Sequence, residues 1–284
     1  MRLIYPEPAE PPEVAGADLA RLYGYPEGLA RPWVRANMVA SLDGAASVRG
    51  RSEGLSGKAD KFVFNLLRAL ADVILVGAGT ARTEGYRPAR PHHAAALWPQ
   101  LRAGRSAAPP IAVVTRRLDL DLSSPLVAGA PPESRTIVIT TAAAPAERRS
   151  AAAAAGADVV VAGEEAVEPR LAVGALAERG HRRVLTEGGP RLLGELTGAG
   201  LLDELCLTIS PLVAGGTGGR ILDAAGAAAA GPAGRVLAGA EPADASASPG
   251  SLGPLTLAHV LADDGYLLCR YLCLPGGQPP DPRG

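Results

Sequence analysis

The chain has 284 residues, with 28 Lys and Arg against 29 Asp and Glu, and a formal net charge of −1. It is 47% hydrophobic and only 20% charged, which excludes a disordered chain, and the balanced charge lacks the basic footprint of a nucleic-acid-binding protein. Aromatic residues make up 4%, so the core is expected to be aliphatic and Ala-rich.

Residues 1–32, rich in Pro, Glu and Gly, read as an irregular N-terminal arm. The opening Met1-Arg2-Leu3-Ile4-Tyr5-Pro6 lacks the apolar run of a signal peptide. No run is long enough to span a membrane, so the expected location is cytoplasmic, without a membrane partner. Trp33–Ala40 reads as the first strand, followed by the turn Ser41-Leu42-Asp43-Gly44. Lys58–Leu70 carries Phe62, Leu66, Leu67 and Leu70 at helical spacing, and Asp72–Val76 is a short apolar strand. Residues 85–109 have no periodicity and read as a long loop.

Strands at Ile111–Thr115, Thr136–Thr140, Val159–Ala162 and Arg183–Glu187 then alternate with helical segments at 145–155, 168–179 and 190–199. That rhythm predicts βαβ units and a parallel sheet. Glu204–Ser210 is a further strand, and residues 223–253 are low-complexity Ala, Gly, Pro and Ser. Leu255–Leu261 and Tyr266–Leu272 flank Asp263-Asp264-Gly265, a hairpin signal that adds an antiparallel edge. The expected organisation is one α/β domain over 33–273 and a flexible tail at 274–284. Cys206, Cys269 and Cys273 lie in apolar runs, and neither they nor the four histidines show metal-ligand spacing, so buried free thiols and no metal are expected.

Two strand-to-helix corners carry the candidate chemistry. Val76-Gly77-Ala78-Gly79-Thr80-Ala81-Arg82 fails the G-x-G-x-x-G fingerprint because Arg82 stands at the third glycine position. Thr186-Glu187-Gly188-Gly189-Pro190 is sharper: a strand, a diglycine, then a proline suited to a first helical turn. Each corner either offers a helix N-terminus to an anion or simply permits a tight strand-to-helix turn, with Glu187 then a solvated carboxylate; two within one sheet tilt the reading towards a diphosphate cofactor. After the strand ending at Thr115, Arg116 and Arg117 supply planar forks suited to a 2′-phosphate, hence NADPH over NADH.

Taken in order, Asn37-Met38-Val39-Ala40-Ser41-Leu42-Asp43-Gly44, Val76-Gly77-Ala78-Gly79-Thr80, Thr83-Glu84-Gly85-Tyr86, Thr186-Glu187-Gly188-Gly189-Pro190, Gly200-Leu201-Leu202-Asp203-Glu204-Leu205 and Ser210-Pro211-Leu212-Val213-Ala214-Gly215-Gly216 resemble the riboflavin-biosynthesis pyrimidine reductases. The resemblance spans about residues 33–273. It implies a dihydrofolate-reductase-like fold and NADPH-dependent reduction of 5-amino-6-(5-phosphoribosylamino)uracil, with hydride passing to C1′ of the opened ribose imine. Carried over by motif, Ala40, Gly79, Thr80, Glu84, Gly188, Gly189, Pro190, Arg191, Leu192 and Leu193 would line NADPH, with Thr115 and Arg116 towards the adenosine. Ser52, Arg68 and Arg90 would hold the substrate phosphate, and Glu187 would face the pyrimidine or ribityl part. Asp43 and Glu187 are the candidate proton sources, with neither assigned. Glu84 stands where a shorter Asp is common in the family. The H-x-E and P-C-x-x-C signature of the zinc deaminase that accompanies bifunctional relatives does not occur. The resemblance also implies a homodimer. The alternatives are an NADPH-dependent reductase of another heterocycle such as dihydrofolate, and a non-catalytic nucleotide-binding module.

Overall fold

The computed structural model describes residues 1–6, 12–90, 98–223 and 255–273. A parallel strand buried on both faces reads as a continuous apolar run, and the middle of this chain is made of such runs. β1 (Arg2–Tyr5), β2 (Trp33–Ser41), β3 (Val73–Gly77), β4 (Ile111–Val114), β5 (Ile137–Thr140), β6 (Asp158–Val161), β7 (Arg183–Thr186), β8 (Glu204–Ser210), β9 (Thr256–Asp263) and β10 (Tyr266–Leu272) form one sheet in the order β1-β9-β10-β8-β2-β7-β3-β4-β5-β6. From β8 to β6 every described pairing is parallel, whereas β10, β9 and β1 add an antiparallel edge. This is the mostly parallel, dihydrofolate-reductase-like α/β sheet that the sequence predicts.

Alternation along the strands divides the core between the two faces. Ile74 and Val76 of β3 pack with Ile111, Val113, Val138 and Leu185, while Val73 and Leu75 pack with Ala112, Ile137, Ile139 and Val184. Helices α1 (Ala17–Leu22), α2 (Lys58–Leu70), α3 (Ala78–Thr83), α4 (Trp98–Leu101), α5 (Pro125–Ala128), α6 (Ala146–Ala154), α7 (Pro169–Glu178) and α8 (Pro190–Gly198) connect or cover the strands. α2 buries Ala59, Val63, Leu66, Leu67 and Leu70, one stripe at spacings of three and four. α8 begins at Pro190, whose missing N–H is no loss in a first turn. In the β9–β10 hairpin, Asp264 and Gly265 take φ of 47° and 80°, the left-handed pair of a two-residue turn.

Three expectations change. Residues 1–32 are not wholly irregular: they contain β1 and α1, and β1 pairs with β9 where residues far apart in sequence meet. The 85–109 stretch contains α4, and Arg102 and Arg105 donate from its end to Ala71 and Leu70 carbonyls at the end of α2. The antiparallel edge holds one strand more than the expected hairpin: β10 lies between β8 and β9, and β1 covers β9. The proposed tail at 274–284 and most of the low-complexity stretch lie outside the described residues.

Near the start of β8 is a buried ionic cluster. Glu204 accepts from Trp33 Nε1 (3.0 Å), Arg35 Nη2 (3.0 Å) and Arg270 Nε (2.7 Å), while Arg270 Nη1 reaches the Leu22 carbonyl (2.5 Å). Arg35 also stacks on Tyr25, 4.0 Å from its ring centre. Burial alone would raise Glu204, but Arg35 and Arg270 overcome it and hold the carboxyl down at about 2.

Candidate active site

Ligands of open α/β sheets bind beyond the carboxyl ends of the parallel strands, where the connecting loops offer free backbone groups. A cavity of about 1120 Å³ opens there, across the ends of β2, β7, β3 and β4. Its size is at the upper end for small-molecule sites.

The two glycine corners meet. β7 pairs with β3, so their exits lie side by side. Gly77 N–H donates to the Gly188 carbonyl (2.9 Å), and Gly189 N–H donates to Thr80 Oγ1 (3.1 Å). Gly188 takes φ +87°, and a Cβ there would come 2.8 Å from Met38 Cε. A Cβ on Gly189 would come 2.7 Å from Thr80 Oγ1. Small residues thus leave the backbone bare in front of the nine-residue helix α8, whose first-turn N–H groups lack intrahelical acceptors. This cradle fits the diphosphate of a dinucleotide.

At the far side of the cradle, Thr115 N–H donates to the Ile139 carbonyl (2.9 Å), and Thr141 Oγ1 donates to the Arg116 carbonyl (3.1 Å). The backbone is pinned while the Arg116 and Arg117 side chains are exposed on the cavity wall, with no carboxylate partner among the described residues. Nearby Arg82 is paired, donating to the Asp119 carbonyl (2.5 Å).

On the other side of the cradle is a buried polar knot. Arg68 Nε and Nη2 donate in parallel to Glu187 Oε1 and Oε2, both at 2.7 Å, and Tyr86 Oη donates to Glu187 Oε2 at 2.6 Å. The Glu187 side chain is 2% exposed, so these bonds replace its hydration. Arg68 lies 4.1 Å above the centre of the Phe64 ring. Burial pushes the Tyr86 phenol well above its ordinary value, with the Glu187 charge adding to it, so Tyr86 is a neutral donor.

Of the residues picked out in the sequence, Ser52, Gly79, Thr80, Glu84, Thr115, Arg116, Glu187, Gly188, Gly189, Pro190, Arg191 and Leu192 line this one cavity. Four do not. Leu193 is buried with Leu196 in the core under the sheet, and Ala40 is buried at the end of β2. Arg90 is exposed and outside the lining. Arg68 is behind the lining with its fork turned to Glu187, so a phosphate-holding role does not match its placement. Ser52 and Glu84, which the resemblance divides between substrate and cofactor, are bonded to each other. Both Ser52 N–H (2.9 Å) and Oγ (3.1 Å) donate to Glu84 Oε1.

Asp43 is outside the lining too. It accepts from Ser41 Oγ (2.5 Å), Ala214 N–H (3.0 Å) and Gly215 N–H (2.8 Å). Those bonds, the Ser41 hydroxyl foremost, hold its carboxyl well below the usual range. They also anchor a glycine-rich strap that runs on through Gly219, Arg220 and Ile221 along the cavity wall to Asp223, whose N–H donates to the Pro190 carbonyl (3.0 Å). Tyr86, Phe64, Asp60 and the strap are lining features that motif reading missed. The signal for Asp60 was legible: a carboxylate on the apolar stripe of α2.

The chain matches the family model described as the RibD C-terminal domain over residues 32–231. A 2,5-diamino-6-ribosylamino-4(3H)-pyrimidinone 5′-phosphate reductase of Archaeoglobus fulgidus is 32% identical over 187 residues, covering 66% of this chain and 83% of the relative. A reductase of the same name from Methanothermobacter thermautotrophicus is 31% identical over 208 residues, covering 68% and 83%. Among solved structures, a pyrimidine reductase-like protein from Corynebacterium diphtheriae superposes with a TM-score of 0.70 at 25% identity, covering 86% of this chain and 92% of that one.

Proposed function

The chain belongs to the RibD C-terminal domain family, and from that premise we propose that it is an NADPH-dependent reductase of a 5-phosphoribosylamino-pyrimidine in riboflavin biosynthesis. The single observation that carries this reading is the junction of the two glycine corners, which makes one bare-backbone cradle at a helix N-terminus beside a polar pocket. When bound, NADPH would supply the hydride that reduces C1′ of the opened ribose imine, whose nitrogen would take its proton from water or from the substrate itself.

Gly188, Gly189 and the first turn of α8 hold the diphosphate, and exposed Arg116 and Arg117 favour a cofactor with a 2′-phosphate. Glu187, Arg68 and Tyr86 lock one another into a rigid wall beside the cradle. This orients the substrate towards the cofactor without a reorganisation cost at the moment of reaction. The substrate named from the resemblance is 5-amino-6-(5-phosphoribosylamino)uracil; the archaeal relatives are named for its 2-amino counterpart. The family resemblance also supports a cytoplasmic homodimer. No described helix is long and apolar enough to cross a membrane.

The test is NADPH consumption by purified protein with each phosphoribosylamino-pyrimidine, with dihydrofolate, and with NADH replacing NADPH. We expect turnover of a phosphoribosylamino-pyrimidine and a preference for NADPH that falls in Arg116→Ala. Turnover of dihydrofolate alone, or of nothing, defeats the reading. Light scattering on the same sample tests the dimer.

A further inference from the structure

Strand order separates the cavity into two ends. Beside β3 and β4 are the corners and the arginines; beyond β7 lie β2 and, packed over it, α2. At this second end Asp60 and Phe64, one turn apart on α2, line the cavity together with Asn37 and Met38 of β2. Asp60 is only 7% exposed, yet it makes no salt bridge among the described residues. Its hydrogen-bond partners among the described residues are two hydroxyls, Ser56 and Thr208. A carboxylate has about four acceptor sites, so two hydroxyls leave it short of donors. Among the described residues, the other buried acidic side chains, Asp72, Glu187, Asp203 and Glu204, are each matched to an arginine.

We propose that Asp60 reads position 2 of the pyrimidine ring and makes this site selective for a 2-amino-pyrimidinone over the corresponding uracil. The proposal rests on the reductase reading above and names its substrate. A 2-amino-4(3H)-pyrimidinone presents two parallel donors, the exocyclic amine and N3–H, which match the two oxygens of a carboxylate. A uracil presents a carbonyl at the same position, setting acceptor against acceptor at a desolvated charge. Phe64, already capped by the Arg68 guanidinium, offers a flat face for the ring. Burial raises the Asp60 carboxyl above the usual carboxylate value, against the pull of Ser56, Thr208 and Lys61.

The experiment compares kcat/KM for the two phosphoribosylamino-pyrimidines in wild type, Asp60→Asn and Thr208→Val. Wild type should favour the 2-amino substrate by at least about tenfold. Asp60→Asn should bring the ratio to about one, chiefly by losing the 2-amino substrate. Thr208→Val, which removes a structural bond and leaves the carboxylate, should keep the wild-type ratio. A wild type that treats both alike or prefers the uracil overturns the inference while leaving the reductase reading intact. So does an Asp60→Asn variant that loses both substrates in equal proportion, the mark of a purely structural residue. Where wild type turns over neither, the reductase reading falls, and calorimetric binding of 2,5,6-triamino-4-pyrimidinone against 5,6-diaminouracil decides Asp60 separately: equal affinities overturn it. That binding comparison needs only wild-type protein, so it also decides the matter if Asp60→Asn does not fold.

Discussion

Arg68 shows how a residue's chemistry follows from its partner rather than its type. A guanidinium on a helix beside a cavity reads as a phosphate ligand until the fold brings Glu187, 119 positions away, against both of its donors. Removing one member of a buried pair strands the other, at a cost of about 3–5 kcal/mol. Arg68→Ala should therefore lower the denaturation midpoint and reduce kcat/KM equally for phosphorylated and dephosphorylated substrates. A loss confined to the phosphorylated substrate would instead restore Arg68 as its phosphate ligand. His259 makes a second prediction at this scale. It is buried edge-on against Tyr23, and desolvation, reinforced by Arg270 and Arg35 and opposed by Glu204, pulls its pKa from 6.5 to about 4. The folded state thus resists a proton that the unfolded chain accepts. Stability on this account is intact above pH 6.5, declines below it, and levels off under pH 4 at a loss of about 3 kcal/mol. In His259→Phe the difference between the two stability-versus-pH curves should open across that window; parallel curves would refute the assignment.

Among elements, the strap from Pro211 to Asp223 is held in part by a single side chain. It has no regular hydrogen-bond ladder; the Asp43 carboxylate ties it to the β2 turn by spanning Ser41, Ala214 and Gly215, beside two backbone bonds, from Leu42 N–H to the Leu212 carbonyl and from Ala46 N–H to the Gly219 carbonyl. Because these bonds depress the Asp43 carboxyl, the clasp persists below the usual carboxylate range and is lost only as pH falls further. Asp43→Asn should speed hydrogen exchange at the Ala214 and Gly215 amides while leaving the β8 amides protected. Unchanged exchange at both would show that the strap is held by other contacts. The regular elements behave differently. α2 was legible at both ends because its apolar stripe is a local property. β1 was not, because a four-residue strand becomes one only through the edge of β9.

For the molecule as a whole, the alternation of short apolar strands with ten-residue helical segments was enough to predict a parallel sheet with an antiparallel edge, since that rhythm is a covalent property of the chain. The motifs likewise located twelve of the named site residues on the wall of one cavity. Strand order was not legible. It places β7 between β2 and β3, and by doing so sets Gly188 against Gly77 and Glu187 against Arg68. The sequence by itself determined which segments become strands and helices, which corners stay bare of side chains, and which family the chain resembles, because periodicity, glycine and proline act over a few residues. Only the tertiary structure decided which charges neutralise one another and which, like Asp60, meet hydroxyls instead. Those outcomes depend on distances between residues that the chain separates by a hundred positions, and on the water that folding removes between them.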